Sequence, residues 1–197
     1  MKKYQVLLDL INAFGVSGKE MEVRAIITKA IKPYVDTITT DRLGNLIAVK
    51  KGKKPKAMLA AHMDEIGLIV RNIGHHGNVE VSAVGGLDTI VSLNEKVYIV
   101  TRKTRIPGIV TTSDISSAQP TEKLPKAEDM FIDTGLTRKQ LLRLGAHVGS
   151  FISFLPNAEI IANNKIISGK ALDDRVGCYI LIEVAKRLKK TKNEVAF

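Results

Sequence analysis

Thiols are nearly absent from this chain: Cys178 is the one cysteine among 197 residues. That excludes an internal disulfide and any zinc site built from cysteines. Cys178 falls in the apolar helical stretch VGCYILIEV, where a small buried thiol is the simplest reading. Aromatic residues are also few, at 5%. The formal net charge of +10 raises the question of nucleic acid, but much of it lies in two short runs, KKGKKPK (Lys50 to Lys56) and KRLKKTK (Lys186 to Lys192). The first reads as a solvated turn and the second as the polar last turn of a helix, where cations complement the dipole. With no stacking aromatics interleaved, specific nucleic-acid binding is excluded and only weak, salt-sensitive contact is left. No apolar run is long enough to cross a bilayer. The opening MKKYQVLLDLINAF scatters polar and charged residues through its apolar positions, unlike a signal peptide, so a cytoplasmic protein without a membrane partner is expected.

What is present is a chain 45% hydrophobic, large enough for a sizeable core and intermediate between one domain and two. Tyr4, Leu7, Leu8, Ile11 and Phe14 recur at helical spacing from Lys3 to Phe14, and Gly15 closes that helix. Ser17 is placed to cap a second helix, buried through Val23, Ile26, Ile27, Ala30 and Ile31 and stopping near Pro33. VDTITTD and NLIAVKK flank Leu43-Gly44-Asn45 as a hairpin, and AMLAAH reads as a fully buried strand. Short strand-like runs, from LIVRNI to SFISFL, then follow one another between turn signals, with one short helix, TRKQLLRLG, capped by Thr137; this is the texture of a small β-barrel. KIISGKALDDRVGCYILIEVAKRLKK returns to strand, turn and helix, with Val176, Ile180, Val184 and Leu188 on one face. The expected fold is therefore α/β, with a first domain at 1–66 and 163–197 and a β-barrel inserted at 67–162. The closing NEVAF reads as a strand just begun, and the chain is expected to be incomplete.

Two stretches carry chemistry. In LAAHMDEIGLIV, His62 stands at the end of the strand, where open α/β sheets place their sites. The His-x-Asp spacing suits a metal-binding imidazole steadied by Asp64, and serves equally a hydrogen-bonded core pair. Glu65 is expected to cap a turn or face solvent. In GKALDDRVG, Asp173 and Asp174 open a helix, where aspartate is a favoured cap. Two adjacent carboxylates with Arg175 exceed what a cap requires, and a carboxylate at such a strand end can bridge two divalent cations. For Arg175 an ion pair at the helix start is expected. His75 and His76 are expected at an exposed hairpin tip, His147 in capping or packing, and Gly85 and Gly86 in a turn or bulge.

LAAHMDEIGLIV and GKALDDRVG, in this order and separated by a β-rich insertion, resemble the glutamyl aminopeptidase and tetrahedral (TET) aminopeptidase family of co-catalytic metallo-aminopeptidases, some members of which bear the name endoglucanase. FGVSGKE, DRLGNLIA, AVGGLD and EDMFIDTG add to the resemblance. It spans essentially the whole chain and about the first half to three-fifths of a family member's usual length. The resemblance implies an α/β aminopeptidase-like catalytic domain, incomplete here, with the barrel as a dimerisation domain and dimers assembling into dodecamers. It implies that His62 is the first metal-binding histidine, that Asp64 supports it, and that Asp173 bridges both metals; Asp173 is chosen over Asp174 because family members can carry Asn at the second position. The implied activity is removal of N-terminal residues from peptides, with two zinc or cobalt ions activating a water and a glutamate as general base. In the family a Glu-Glu pair follows the strand that NEVAF would begin, and a later Asp and a C-terminal His complete the site. None of these is present, so this chain alone is expected to be inactive and to hold no tight metal. TTSDISSAQ departs from the Pro- and His-containing stretch of the family's barrel. The competing reading is a non-catalytic oligomerisation module derived from that family.

Overall fold

The computed structural model describes residues 4–112, 126–189 and Ala196. The chain divides into two compact units, Met1–Glu65 with Pro156–Phe197, and Ile66–Leu155. The second unit, Ile66–Leu155, is the one that carries the barrel strands.

In the first unit, α1 (Gln5–Asn12) buries Leu7, Leu10 and Ile11. It stops at Asn12, short of Phe14, because Ala13 turns extended and gives its N–H to the carbonyls of Asp9 and Leu10. Helix α2 (Met21–Ile31) buries Val23, Ile27 and Ile31, one residue per turn, and gives way to a 3-10 turn through Pro33. Ser17 does not cap it: Glu20 holds the cap position, and the Ser17 hydroxyl donates to Asp64. Strands β1 (Thr37–Thr40) and β2 (Leu46–Val49) form the expected antiparallel hairpin. Its turn is tied by the Asp41 carboxylate, which accepts from the N–H groups of Leu43 and Asn45. The Asn45 side-chain amide, donating to the same carboxylate at 2.8 Å, and then those N–H bonds hold the Asp41 pKa below its ordinary value.

AMLAAH is not a buried strand. Among the described residues, 57–62 belong to no ladder, and Met58 is 90% exposed. An apolar run reports the appetite for burial, whereas a strand needs neighbours. Among the described residues those neighbours amount to a parallel bridge at either end, Lys56↔Ala196 and Val16↔Glu65. Apart from Ala196, the NEVAF reading lies outside the described residues, as does TTSDISSAQ from Ser113 onward.

The inserted unit is a closed barrel of β3 (Gly67–Ile73), β4 (Val79–Val84), β5 (Lys96–Val100), β6 (Arg105–Thr112), β7 (Met130–Asp133) and β8 (Phe151–Phe154), in the order β3-β4-β7-β6-β5-β8. All pairs are antiparallel, and β8 returns to β3 through Leu68↔Ile152 to close the ring. Alternate residues point inward, so Leu68, Val70, Val81, Val97, Ile99, Ile106, Val110, Ile132 and Ile152 fill the interior. Between β4 and β5, Asp88 caps the short α3 (Thr89–Ser92). Helix α4 (Arg138–Arg143) adds Leu141 to that core; its start is a capping box in which the Thr137 hydroxyl accepts from the Gln140 N–H and the Gln140 side chain accepts from the Thr137 N–H.

The chain then re-enters the first unit through the hairpin β9 (Glu159–Ile161) and β10 (Ile166–Ser168) and ends in α5 (Leu172–Leu188). The buried face of α5 is Arg175, Cys178, Ile182 and Ala185, while Val176 and Ile180 are exposed, the reverse of the expected face. Apolar residues occupy both sides of this helix, and the insertion of Arg175 decides which side turns inward. Periodicity counts an arginine as surface and so chose the other side. Among the described residues no helix is long and apolar enough to cross a membrane.

Candidate functional site

The two acidic stretches meet in the first unit. The segment carrying His62 is fixed at its end by a backbone bond, Glu65 N–H donating to the Gly15 carbonyl at 2.9 Å. On the other side, Ala171 is left-handed (φ 55°, ψ 26°), Asp173 and Asp174 have non-helical backbone, and the peptide between them is cis. Regular helix therefore begins at Arg175. The Asp174 carboxylate accepts from the Gly177 N–H at 3.0 Å and acts as the cap. A Cβ at position 177 would lie 2.4 Å from that carboxylate, so the cap needs glycine there. With capping assigned to Asp174, the Asp173 side chain is left 94% exposed, its Oδ1 3.1 Å from His62 Nε2.

His62 is held from its other side. Its Nδ1 lies 3.0 Å from Asp64 Oδ1, and the second oxygen of Asp64 accepts from the Ser17 hydroxyl. A carboxylate at Nδ1 places the ring proton there and leaves the lone pair on Nε2. That lone pair then faces the lone pairs of Asp173. Two acceptors at 3.1 Å need something positive to share, either a second proton on the imidazole or a cation. Donors on one tetrahedral zinc, with bonds of about 2.0 Å, stand about 3.3 Å apart. The pair therefore fits a metal in donor type and in spacing, but supplies two donors of the usual four. Among the described residues no group of three or more His, Cys, Asp or Glu side chains is gathered for a metal.

Beneath this exposed pair lies a charged cluster that the sequence reading placed elsewhere. Glu65 does not face solvent: it is 5% exposed, its carboxylate lies 2.9 Å from Lys170 Nζ and accepts from the Gly15 N–H at 3.0 Å. Arg175 makes no helix-start pair with Asp174. It is fully buried, with Nη2 3.5 Å from Glu65, and it donates from Nη1 to the carbonyls of Leu10, Ile11 and Ala13 and from Nε to that of Met63. The last turn of α1, short of intrahelical partners, thus takes its donors from a guanidinium. Burial pulls the Arg175 pKa down, and the Glu65 charge opposes that shift. The group can pack this deeply because position 15 is glycine; a Cβ there would meet Arg175 Nη2 and Val23 at 2.7 Å. The available signal was symmetry of charge: each motif follows its exposed acidic or imidazole residue with one more charge, Glu65 in the first and Arg175 in the second.

Cys178 is buried as expected, with Sγ 3.2 Å from the His62 carbonyl, and burial aided by the Asp174 charge pushes its thiol up to about 11. His75 and His76 are exposed at the β3–β4 turn. His147 closes a local turn, its Nδ1 2.9 Å from the Gly145 carbonyl and 3.1 Å from Ser150 Oγ.

Comparison with known proteins places this geometry in context. Residues 44–197 match a family model described as M42 glutamyl aminopeptidase. A protein of Acetivibrio thermocellus is 40% identical over 196 residues, an alignment covering 97% of this chain and 57% of that protein. Among solved structures, the TET aminopeptidase from the marine sediment archaeon Thaumarchaeota archaeon SCGC AB-539-E09 superposes with a TM-score of 0.92 at 33% identity, covering 99% of this chain and 57% of that one. The Pyrococcus horikoshii TET1 peptidase, described as assembling into a tetrahedron or a large octahedral shell, gives 0.83 at 30% identity, covering 98% and 59%. The chain thus spans a little over half the length of the relatives it matches.

Proposed function

The chain belongs to the M42 glutamyl aminopeptidase family, and from that premise we propose that it carries part of a two-metal aminopeptidase site that removes N-terminal residues from peptides. The observation that carries the reading is the 3.1 Å approach of His62 Nε2 to Asp173 Oδ1, with Asp64 on the far side of the ring. In this reading His62 and Asp173 would hold the metal ions, and Asp64 orients the imidazole. A bound pair of zinc or cobalt ions supplies the electrophile and the acidified water for peptide hydrolysis. The described residues of this chain would orient those ions, and none of them is assigned as the general base. Glu65, the neighbouring buried carboxylate, is engaged by Gly15, Lys170 and Arg175. The base and the remaining donors are assigned to the part of the longer relatives that this chain does not span, so the 197 residues alone are a poor catalyst.

The test has two arms. Calorimetry with zinc or cobalt on the 197-residue chain is expected to find only weak binding; stoichiometric, submicromolar affinity overturns the account of a partial ligand set. In a protein of the relatives' full length carrying this sequence, cleavage of aminoacyl amides is expected, and is expected to vanish in His62→Ala and in Asp173→Ala. Full activity in both variants removes the assignment.

For partners, we propose that the barrel mediates homo-oligomer formation. Ile90 and Val91 on α3 and Ile109 on β6 are exposed on it, and the Pyrococcus horikoshii relative is described as assembling into a tetrahedron or a large octahedral shell. A second reading, an oligomerisation module without chemistry, draws on the same barrel, which closes its ladder without help from the other unit. Light scattering together with the peptidase assay separates the two: a stable oligomer whose full-length form cleaves no aminoacyl amide favours the module, and cleavage favours the metal site.

A further inference from the structure

The geometry points to the buried Glu65–Arg175 pair, with Lys170, as the device that positions His62 and Asp173 against each other; the inference rests on the reading of those two residues as metal ligands. His62 and Asp173 are exposed; Asp64 holds the His62 ring at Nδ1, whereas the Asp173 side chain is 94% exposed. Each lies a few residues from a charged group that is fixed. Glu65 follows His62 by three positions and Arg175 follows Asp173 by two. These two groups meet at 3.5 Å below the surface pair.

The anchoring is redundant and converges from several directions. The Arg175 guanidinium fastens the start of α5 to the end of α1 through Leu10, Ile11 and Ala13, and to the His62 segment through the Met63 carbonyl. The Glu65 carboxylate fastens the same segment to Gly15 and to Lys170, which immediately precedes the left-handed Ala171. The two ends of the Ala171 to Arg175 stretch are thereby tied to one carboxylate, and the Asp173 side chain is carried between them. A guanidinium presents its donors in a fixed planar fork, so these ties set direction as well as distance. Glu65, Lys170 and Arg175 are positioning residues: they act on a cation only through His62 and Asp173.

Two variants of the 197-residue chain test this, each removing one opposite pair so that the cluster keeps its net charge. Glu65→Gln with Arg175→Met leaves Lys170, and Glu65→Gln with Lys170→Met leaves Arg175. In both, the glutamine oxygen remains to accept from Gly15 N–H. Two signals are read: the nuclear Overhauser contact between the His62 ring and the Asp173 methylene without metal, and the Co2+ concentration that half-broadens the His62 ring resonances. Loss of that contact in a folded variant, with the Co2+ midpoint raised about tenfold to a hundredfold, is the expected result for the first variant, with a smaller change for the second. A folded variant of either kind that keeps the contact and the wild-type midpoint overturns the proposal. If Co2+ leaves His62 unchanged in the wild type while the variants still lose the contact, the metal reading fails and the positioning stands.

Discussion

In the inserted unit every strand of the barrel has two neighbours, because β8 returns to β3, and its interior is aliphatic: Val97, Ile99, Val110 and Ile152. In the α/β unit, two separate two-stranded hairpins and the unladdered residues 57–62 leave Met58, Leu59, Val176 and Ile180 exposed, and a glutamate, a lysine and an arginine lie inside. Among the described residues the unit closed by hydrogen bonding buries no charged side chain, whereas the one left open is organised around buried charge. Strand ladders specify register over many residues at once; a charge cluster specifies only a few contacts, but does so by direction. The chemistry-bearing side chains reside in the second kind of structure.

The contrast is breakable. Glu65→Gln alone strands Arg175 and Lys170 without their counter-charge and is expected to cost about 3–5 kcal/mol. The loss should be confined to the α/β unit, where accelerated alkylation of Cys178 reports it, while amide exchange of the barrel strands stays slow. The mirror experiment, Ile99→Ala, opens a cavity in the barrel at a cost of about 3 kcal/mol, with barrel amides losing protection and Cys178 alkylation unaltered. If either variant disturbs both reporters equally, the two units do not unfold independently and the comparison fails.

Finer tests sharpen it. Gly15→Ala forces a methyl group against Arg175 and Val23 and is expected to cost about 2 kcal/mol by overpacking, measured as a lowered midpoint in urea. For Cys178, the folded pKa near 11 stands above the ordinary 9.0, so its contribution to stability is complete below pH 9 and declines between 9 and 11 as only the unfolded thiol ionises. Roughly 1 kcal/mol is expected to be lost by about pH 9.5, a decline that Cys178→Ala should abolish in alkaline denaturant titrations. Smallest is the joint change Val176→Ser with Ile180→Ser. On an exposed face it should shift stability by less than about 1 kcal/mol and leave barrel-mediated self-association seen by light scattering unchanged. A drop of several kcal/mol would mean that this face is covered in solution.

Legibility from sequence followed the range of the interactions. Strand alternation and turn residues announced the barrel, and Thr137 its helix cap, because these are set by neighbours along the chain. The nearness of His62 to Asp173 came from motif resemblance rather than periodicity. Arg175 and Glu65 were misplaced for one physical reason: a charge is read as surface unless its partner is known, and theirs lie up to 165 positions away. Ser17 was read as a local cap when its acceptor, Asp64, was 47 residues on. AMLAAH failed the other way, since an apolar run says nothing about whether a neighbour lies alongside to pair with it.

Alanine at position 171, left-handed two residues before Asp173, sets an engineer a small dilemma. Glycine there would relieve about 1–2 kcal/mol of steric conflict between Cβ and the carbonyl, and would return about half of it by widening the unfolded ensemble. The net gain in melting temperature would be slight. The loss would be of another sort: without the methyl, the backbone at 171 could swing through mirror-image conformers, and the acid side chain beyond it would spend less of its time facing the imidazole.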